Sequence, residues 1–152
     1  MKKIKLTQGK FALVDDQDFE SLNKFKWHFE RYARRTTNLL GKHTNWRMHW
    51  SVIGKPLKGL EVDHINGDKL DNRRENLRVV TSRQNQCNTG KYRNNTSGYK
   101  GVHWQKRSKR WETKIKIYGY TKYLGTFLTK EEAYKVYCEA NKKYHGEYGR
   151  TT

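Results

Sequence analysis

The stretch Glu61–Asn88, EVDHINGDKLDNRRENLRVVTSRQNQCN, constrains the fold more than any other part of the chain. Two short apolar runs, "LEV" and "LRVV", flank a loop dense in Asn, Asp and Gly, residues that satisfy their own backbone or tolerate turn geometry. Thr81 and Gln84 then open a helix directly after the second run. Strand, polar loop, strand and helix in so short a span make a small unit that can aim side chains at one point. Successive strand residues face opposite sides of the pleat. Asp63 and His64 therefore act together only because the first strand ends there and "NGD" begins to turn. The plain alternative is a hairpin in which the pair merely ends a strand.

Charge names the partner. The chain has 152 residues, with 33 Lys and Arg against 15 Asp and Glu, a net +18. Such a surplus repels itself in the compact state unless a polyanion offsets it, which makes nucleic acid the first candidate; the expected partner is double-stranded DNA. No apolar run approaches the roughly 18 residues of a spanning helix, and the opening Lys pair lacks the apolar core of a signal peptide. The expectation is a protein of the cytoplasm of a bacterial or phage-infected cell, with no membrane partner, no required protein partner and no dimer seam. Cys87 and Cys138 lack metal-ligand spacing, so no structural zinc is expected, nor a disulfide.

The pattern predicts an α+β chain. Residues 1–59 read as a β-rich region that contacts DNA. It holds a hairpin around "TQGK", a short helix over Phe19, Leu22, Phe25 and Trp27, and a second hairpin of "ERYARRTT" and "NWRMHWSVI" around "NLLGKH". The second hairpin carries Arg34, Arg35 and Arg47. Residues 60–89 form the ββα core and 90–97 a polar linker. Residues 98–152 form a three-stranded antiparallel sheet, over Gly98–Lys106, Arg110–Tyr118 and Lys122–Phe127, packed on one helix. Thr129 with Glu132 caps that helix, and Ala133, Tyr137, Ala140 and Tyr144 form its apolar stripe.

In the core, the Asp63 carboxylate and the Asn85 amide oxygen suit one hard cation, Mg²⁺ or alternatively Mn²⁺, that keeps several waters. His64 titrates near neutral pH and can deprotonate an attacking water. Arg73, Arg78 and Arg83 read as phosphate anchors, Asp71 and Asn72 as turn formers, and His43 and His49 as strand residues without carboxylate company. The motifs "VDHINGD", "LDNRRENLR" and "SRQNQ" resemble an HNH homing-type endonuclease of phage or intron origin, over about Leu60–Cys87. The resemblance implies Asp63 and Asn85 as metal ligands, His64 as general base, Asn76 as a brace of the loop, and a ββα-metal fold. Asn85 stands where many relatives have His, which favours a hard ion over zinc or nickel. A single metal site favours a nick in one strand.

From Gly98 on, "GYKGV", "YLGTF" and "EEAYKVY" resemble the Apetala, or ethylene-response-factor, DNA-binding domain, whose sheet enters the major groove. The resemblance implies contacts from Lys100, His103, Gln105, Lys116 and Tyr123, and strand alternation adds Lys114 on the same face. Between Lys91 and Lys122, ten Lys or Arg accompany one acidic residue, Glu112. Several family arginines are Lys, His or Gln here, so sequence preference does not carry over. The leading function is a DNA endonuclease. Its rivals are a non-catalytic DNA-binding regulator or architectural protein and, more remotely, an RNA binder using its many Tyr and Trp to stack.

Overall fold

The computed structural model describes every residue except Leu40 and Thr152, and of Leu39 and Lys42 the backbone alone. The chain divides into two compact units, Met1–Ser82 and Arg83–Thr152. Among the described residues there are four small antiparallel sheets and four α-helices, an α+β architecture.

The first unit opens with strands β1 (Lys2–Lys5) and β2 (Phe11–Val14), paired antiparallel as the alternation of apolar and Lys residues predicts. Helix α1 (Asp16–Asn23) follows. It is shorter than the apolar spacing suggests, because the Trp27 indole N–H donates to the Leu22 carbonyl at 2.8 Å and turns the chain away. Strands β3 (His28–Glu30), β4 (Tyr32–Leu39) and β5 (Lys42–Arg47) then form a meander. Leu40, in the turn of the expected second hairpin, lies outside the described residues.

The run "NWRMHWSVI" does not continue as a strand. It breaks after Arg47 into α2 (Met48–Ile53). Aromatic and β-branched content favours a strand locally, but Met48 and Val52 stand four residues apart on one helical face, and both are buried. Gly54 ends the helix at φ 87°, a region closed to most side chains. Strands β6 (Leu60–His64) and β7 (Leu77–Thr81) complete the unit. Ile4, Val14, Leu22, Met48, Val62 and Leu77 share one core, so the β6–β7 hairpin rests on elements from the chain's start.

Helix α3 (Ser82–Cys87) leads into the second unit. There β8 (Val102–Gln105), β9 (Arg110–Ile117) and β10 (Tyr120–Phe127) form a sheet with β9 in the centre. Helix α4 (Lys130–His145) covers one face through Ile115, Ile117, Tyr137 and Ala140. Thr129 and Glu132 make the reciprocal capping bonds the sequence predicts, both at 3.2 Å. The polar stretch before the sheet is tied down. Ser97 is buried and donates to the Val102 carbonyl at 2.7 Å, and Asn95 donates to the Tyr99 carbonyl at 2.8 Å. No helix among the described residues is long and apolar enough to cross a membrane.

Candidate active site

Strands β6 and β7 pair with Asp63 opposite Arg78 and His64 opposite Leu77, so the Asp-His pair occupies the last two positions of β6. Both side chains are buried. The Asp63 carboxylate takes an ion pair from Arg78, whose Nε and Nη2 donate to Oδ2 at 3.0 and 2.9 Å. Arg78 is therefore seated against Asp63 rather than spread on the surface.

Side chains fasten the loop between the strands to its own backbone. Asn76 accepts the Asn66 N–H at Oδ1, 2.9 Å away, and donates from Nδ2 to the Asp71 carbonyl at 2.8 Å. One buried amide thus spans the loop. Asp71 receives Nε and Nη2 of Arg73 at 2.8 and 2.7 Å and Nδ2 of Asn66 at 2.8 Å. The Arg73 hydrogen bond, foremost among several causes, holds the Asp71 carboxyl below the usual carboxylate range. From outside the loop, Leu13 of β2 donates to the Leu70 carbonyl and accepts from the Asn72 N–H, both at 2.8 Å. Arg74 donates to Asp18 of α1 at 2.9 and 2.7 Å.

Asn72 does more than form a turn. Its side chain is buried, and Nδ2 donates to the Leu70 carbonyl at 3.3 Å and to the Met48 sulfur at 3.6 Å. Those donations turn Oδ1 toward His64 Nε2, 3.2 Å away. An amide oxygen only accepts, so the hydrogen-bond pattern assigns the proton to Nε2 and the lone pair to Nδ1. Burial pushes the His64 pKa below 6.5, partly opposed by the Asn72 bond.

His49 joins this group from α2. Its ring centroid lies 5.2 Å from that of His64, 5.5 Å from Tyr32 and 5.9 Å from Trp50. Neither of its nitrogens hydrogen-bonds a described group. Burial first, then the charges of His64, Arg47 and Lys69, lower its pKa to about 3, which keeps the ring neutral at ordinary pH. Sequence reading set His49 aside on a strand; one i,i+4 pair, Met48 and Val52, was too little to mark the run as a helix.

The remaining candidates are distributed between the units. In the first, Arg34 pairs with Glu30, the Arg35 guanidinium lies 3.6 Å from the Phe25 ring centroid, and Arg47 covers Tyr32 and Trp50 at 5.0 and 5.1 Å. In the second, Arg83 and Asn85 lie on α3. Lys100 donates to the carbonyls of Arg150 at 2.8 Å and Cys87 at 3.2 Å. Glu112, placed by alternation on an open face, is buried and binds His103 at 2.7 Å as well as Lys114. Gln105 is half-buried, and Lys116 and Tyr123 are exposed.

Among the described residues no three His, Cys, Asp or Glu gather around a common point. The donors singled out from sequence, one carboxylate and one amide oxygen, are hard and few. They suit an ion that keeps most of its waters, and they do not suit zinc.

Residues 52–87 match the family described as HNH endonuclease. Over 143 residues, 93% of this chain and 74% of the relative, the chain is 28% identical to an uncharacterized HNH endonuclease of Acanthamoeba polyphaga mimivirus. Over 71 residues it is 34% identical to Protein 3.8 of Escherichia phage T7, a match spanning 46% of this chain and 59% of that protein. No solved structure gives a significant match. The strands and loop that position Asp63, His64, Asn72 and Asn76 thus lie within the segment that matches the HNH endonuclease family, in a chain similar along most of its length to a viral HNH endonuclease.

Proposed function

We propose that the chain is a DNA endonuclease of the homing type that nicks duplex DNA, with His64 as general base and one divalent cation held by Asp63 and Asn85. The observation that carries this reading is the Asn72 bond to His64 Nε2 inside a segment matching HNH endonucleases. It fixes the tautomer whose Nδ1 can accept a proton from water. Asn76 braces the loop so that β6 ends at a fixed angle. When bound, Mg²⁺, or Mn²⁺ in its place, would stabilise charge on the scissile phosphate and the leaving 3′ oxygen. His64 meanwhile takes the proton of the attacking water, and Arg78 holds the Asp63 carboxylate in place.

The arginines of the first unit, Arg34, Arg35, Arg47 and Arg73, together with Arg83, supply contacts to phosphates. The second unit serves as an Apetala-like reader. Its sheet face bearing His103, Gln105, Lys114, Lys116 and Tyr123 lies against DNA, while Lys100 fixes the edge of that sheet through its two carbonyl bonds. The work belongs in an infected host cell, as the phage and giant-virus relatives suggest.

The rival reading, a DNA-binding protein that does not cut, draws support from the burial of His64 and the pairing of Asp63 with Arg78. Incubation of the full chain with supercoiled plasmid and Mg²⁺ separates the two. Open-circle product that disappears with EDTA and with His64→Ala supports the nuclease. Tight binding without product across varied DNA substrates supports the rival.

A further inference from the structure

The sheet of the second unit has an open edge. Strand β8 pairs with β9 only as far as Thr113, and Gly101 takes the Lys114 N–H at 3.0 Å. Beyond that point β9 has β10 on one side and no strand on the other. Where the segment from Arg83 to Asn95 faces this edge, the structure holds a cavity of about 520 Å³, within the usual size range of small-ligand sites. Its wall carries Arg83, Lys91, Lys100, Lys114 and Lys116 and no carboxylate. Lys114 shares Glu112 from behind. Lys100 is pinned by two carbonyls, and burial lowers its pKa to about 8, so it remains mostly charged at neutral pH.

The rim holds an unusual residue. Tyr118 and Gly119 make the two-residue turn between β9 and β10 with φ of 48° and 94°. Asn or Gly is favoured at such a position and a large aromatic is not. Tyr118 nevertheless occupies it with its ring exposed, and the Arg83 guanidinium lies 5.2 Å from the ring centroid. Backbone strain retained at a rim residue is a mark of use. Tyr92, also exposed, stands on the other wall.

We propose that this cavity binds a phosphorylated nucleotide, its phosphate among Arg83, Lys91, Lys100 and Lys116 and its base stacked on Tyr118. The nucleotide is either free or part of an unpaired DNA strand. Positive charge without a counter-carboxylate selects the phosphate, and exposed aromatic rings select the base. The site shares Arg83 and Lys116 with the proposed duplex contacts and does not include Asp63, His64 or Asn76.

Calorimetric titration of the full chain in EDTA, where metal-dependent cutting is silent, tests it. The ligands are deoxyadenosine monophosphate, a single-stranded deoxyadenosine tetranucleotide, deoxyadenosine and inorganic phosphate. The expected result is saturable binding of the monophosphate or the tetranucleotide, with deoxyadenosine and inorganic phosphate each weaker by about tenfold or more. Tighter binding of the tetranucleotide assigns the site to a strand, and the reverse to a free nucleotide. Lys116→Gln and Tyr118→Asn should each weaken binding about fivefold or more. Asn suits the turn, so loss in the Tyr118 variant is not loss of fold. Absence of saturation by both phosphorylated ligands, inorganic phosphate binding as tightly as the monophosphate, or wild-type affinity in Tyr118→Asn overturns the proposal.

Discussion

Asn72 sets the tautomer of the buried His64 ring, because its own amide is turned by Met48 and Leu70. Asn72→Ala should lower kcat about tenfold while leaving KM nearly unchanged, whereas His64→Ala should cost about 10² to 10⁴ in rate. Single-turnover nicking assays read both. Since burial lowers the His64 pKa from 6.5, the acid limb of the pH–rate profile should fall below that value, not above it. His49 makes a separate prediction about stability. Its pKa falls from 6.5 to about 3 on folding, so the unfolded chain binds the extra proton throughout that interval. Stability is therefore full above about pH 6.5 and declines as pH falls toward 3. His49→Phe should flatten that decline in urea titrations across pH. Sequence showed Asp63 and His64 by their place at a strand end. It could not show Asn72 or His49, since an Asn in a polar loop looks the same whether it faces water or a buried imidazole.

The β6–β7 hairpin was legible because apolar runs bracket a loop dense in turn-forming Asn, Asp and Gly. Helix α2 was not, because its six residues are too few to display a helical period and its aromatics favour strands. Long-range ties were hidden altogether. Arg74 and Asp18 lie 56 residues apart, and no local pattern links them. Asp18→Ala should cost about 1 kcal/mol in urea denaturation, a modest figure because Arg74 is half exposed and solvent screens the pair. Asn76→Ala leaves the buried Asp71 carbonyl and the part-buried Asn66 N–H without partners and should cost about 1 to 3 kcal/mol, with nicking lost in proportion to the loop's disorder.

Two units, each with its own core, divide the chain between Ser82 and Arg83, so a cut at Gly90 leaves the first unit whole and carries only the start of the second. A fragment ending at Gly90 keeps Asp63, His64, Asn76 and Asn85 but loses the basic sheet. It should nick slowly and with poor selectivity. Its log-affinity against log-salt slope should flatten by about 0.9 for each phosphate contact removed. Filter binding over a salt series measures this, and a full-length slope in the fragment would refute the division of labour. The backbone bonds of Leu13 to Leu70 and Asn72 carry a different consequence, one of synthesis order. Domains fold from the N-terminus as they leave the ribosome, so the strand that seats the loop is finished well before the loop exists. A product initiated at the internal Met48 would contain all of the matching segment, residues 52–87, and not the strand that seats its loop. Partial translation products of that kind would carry the loop unseated, and any activity that depends on it would stay silent until the whole chain is made.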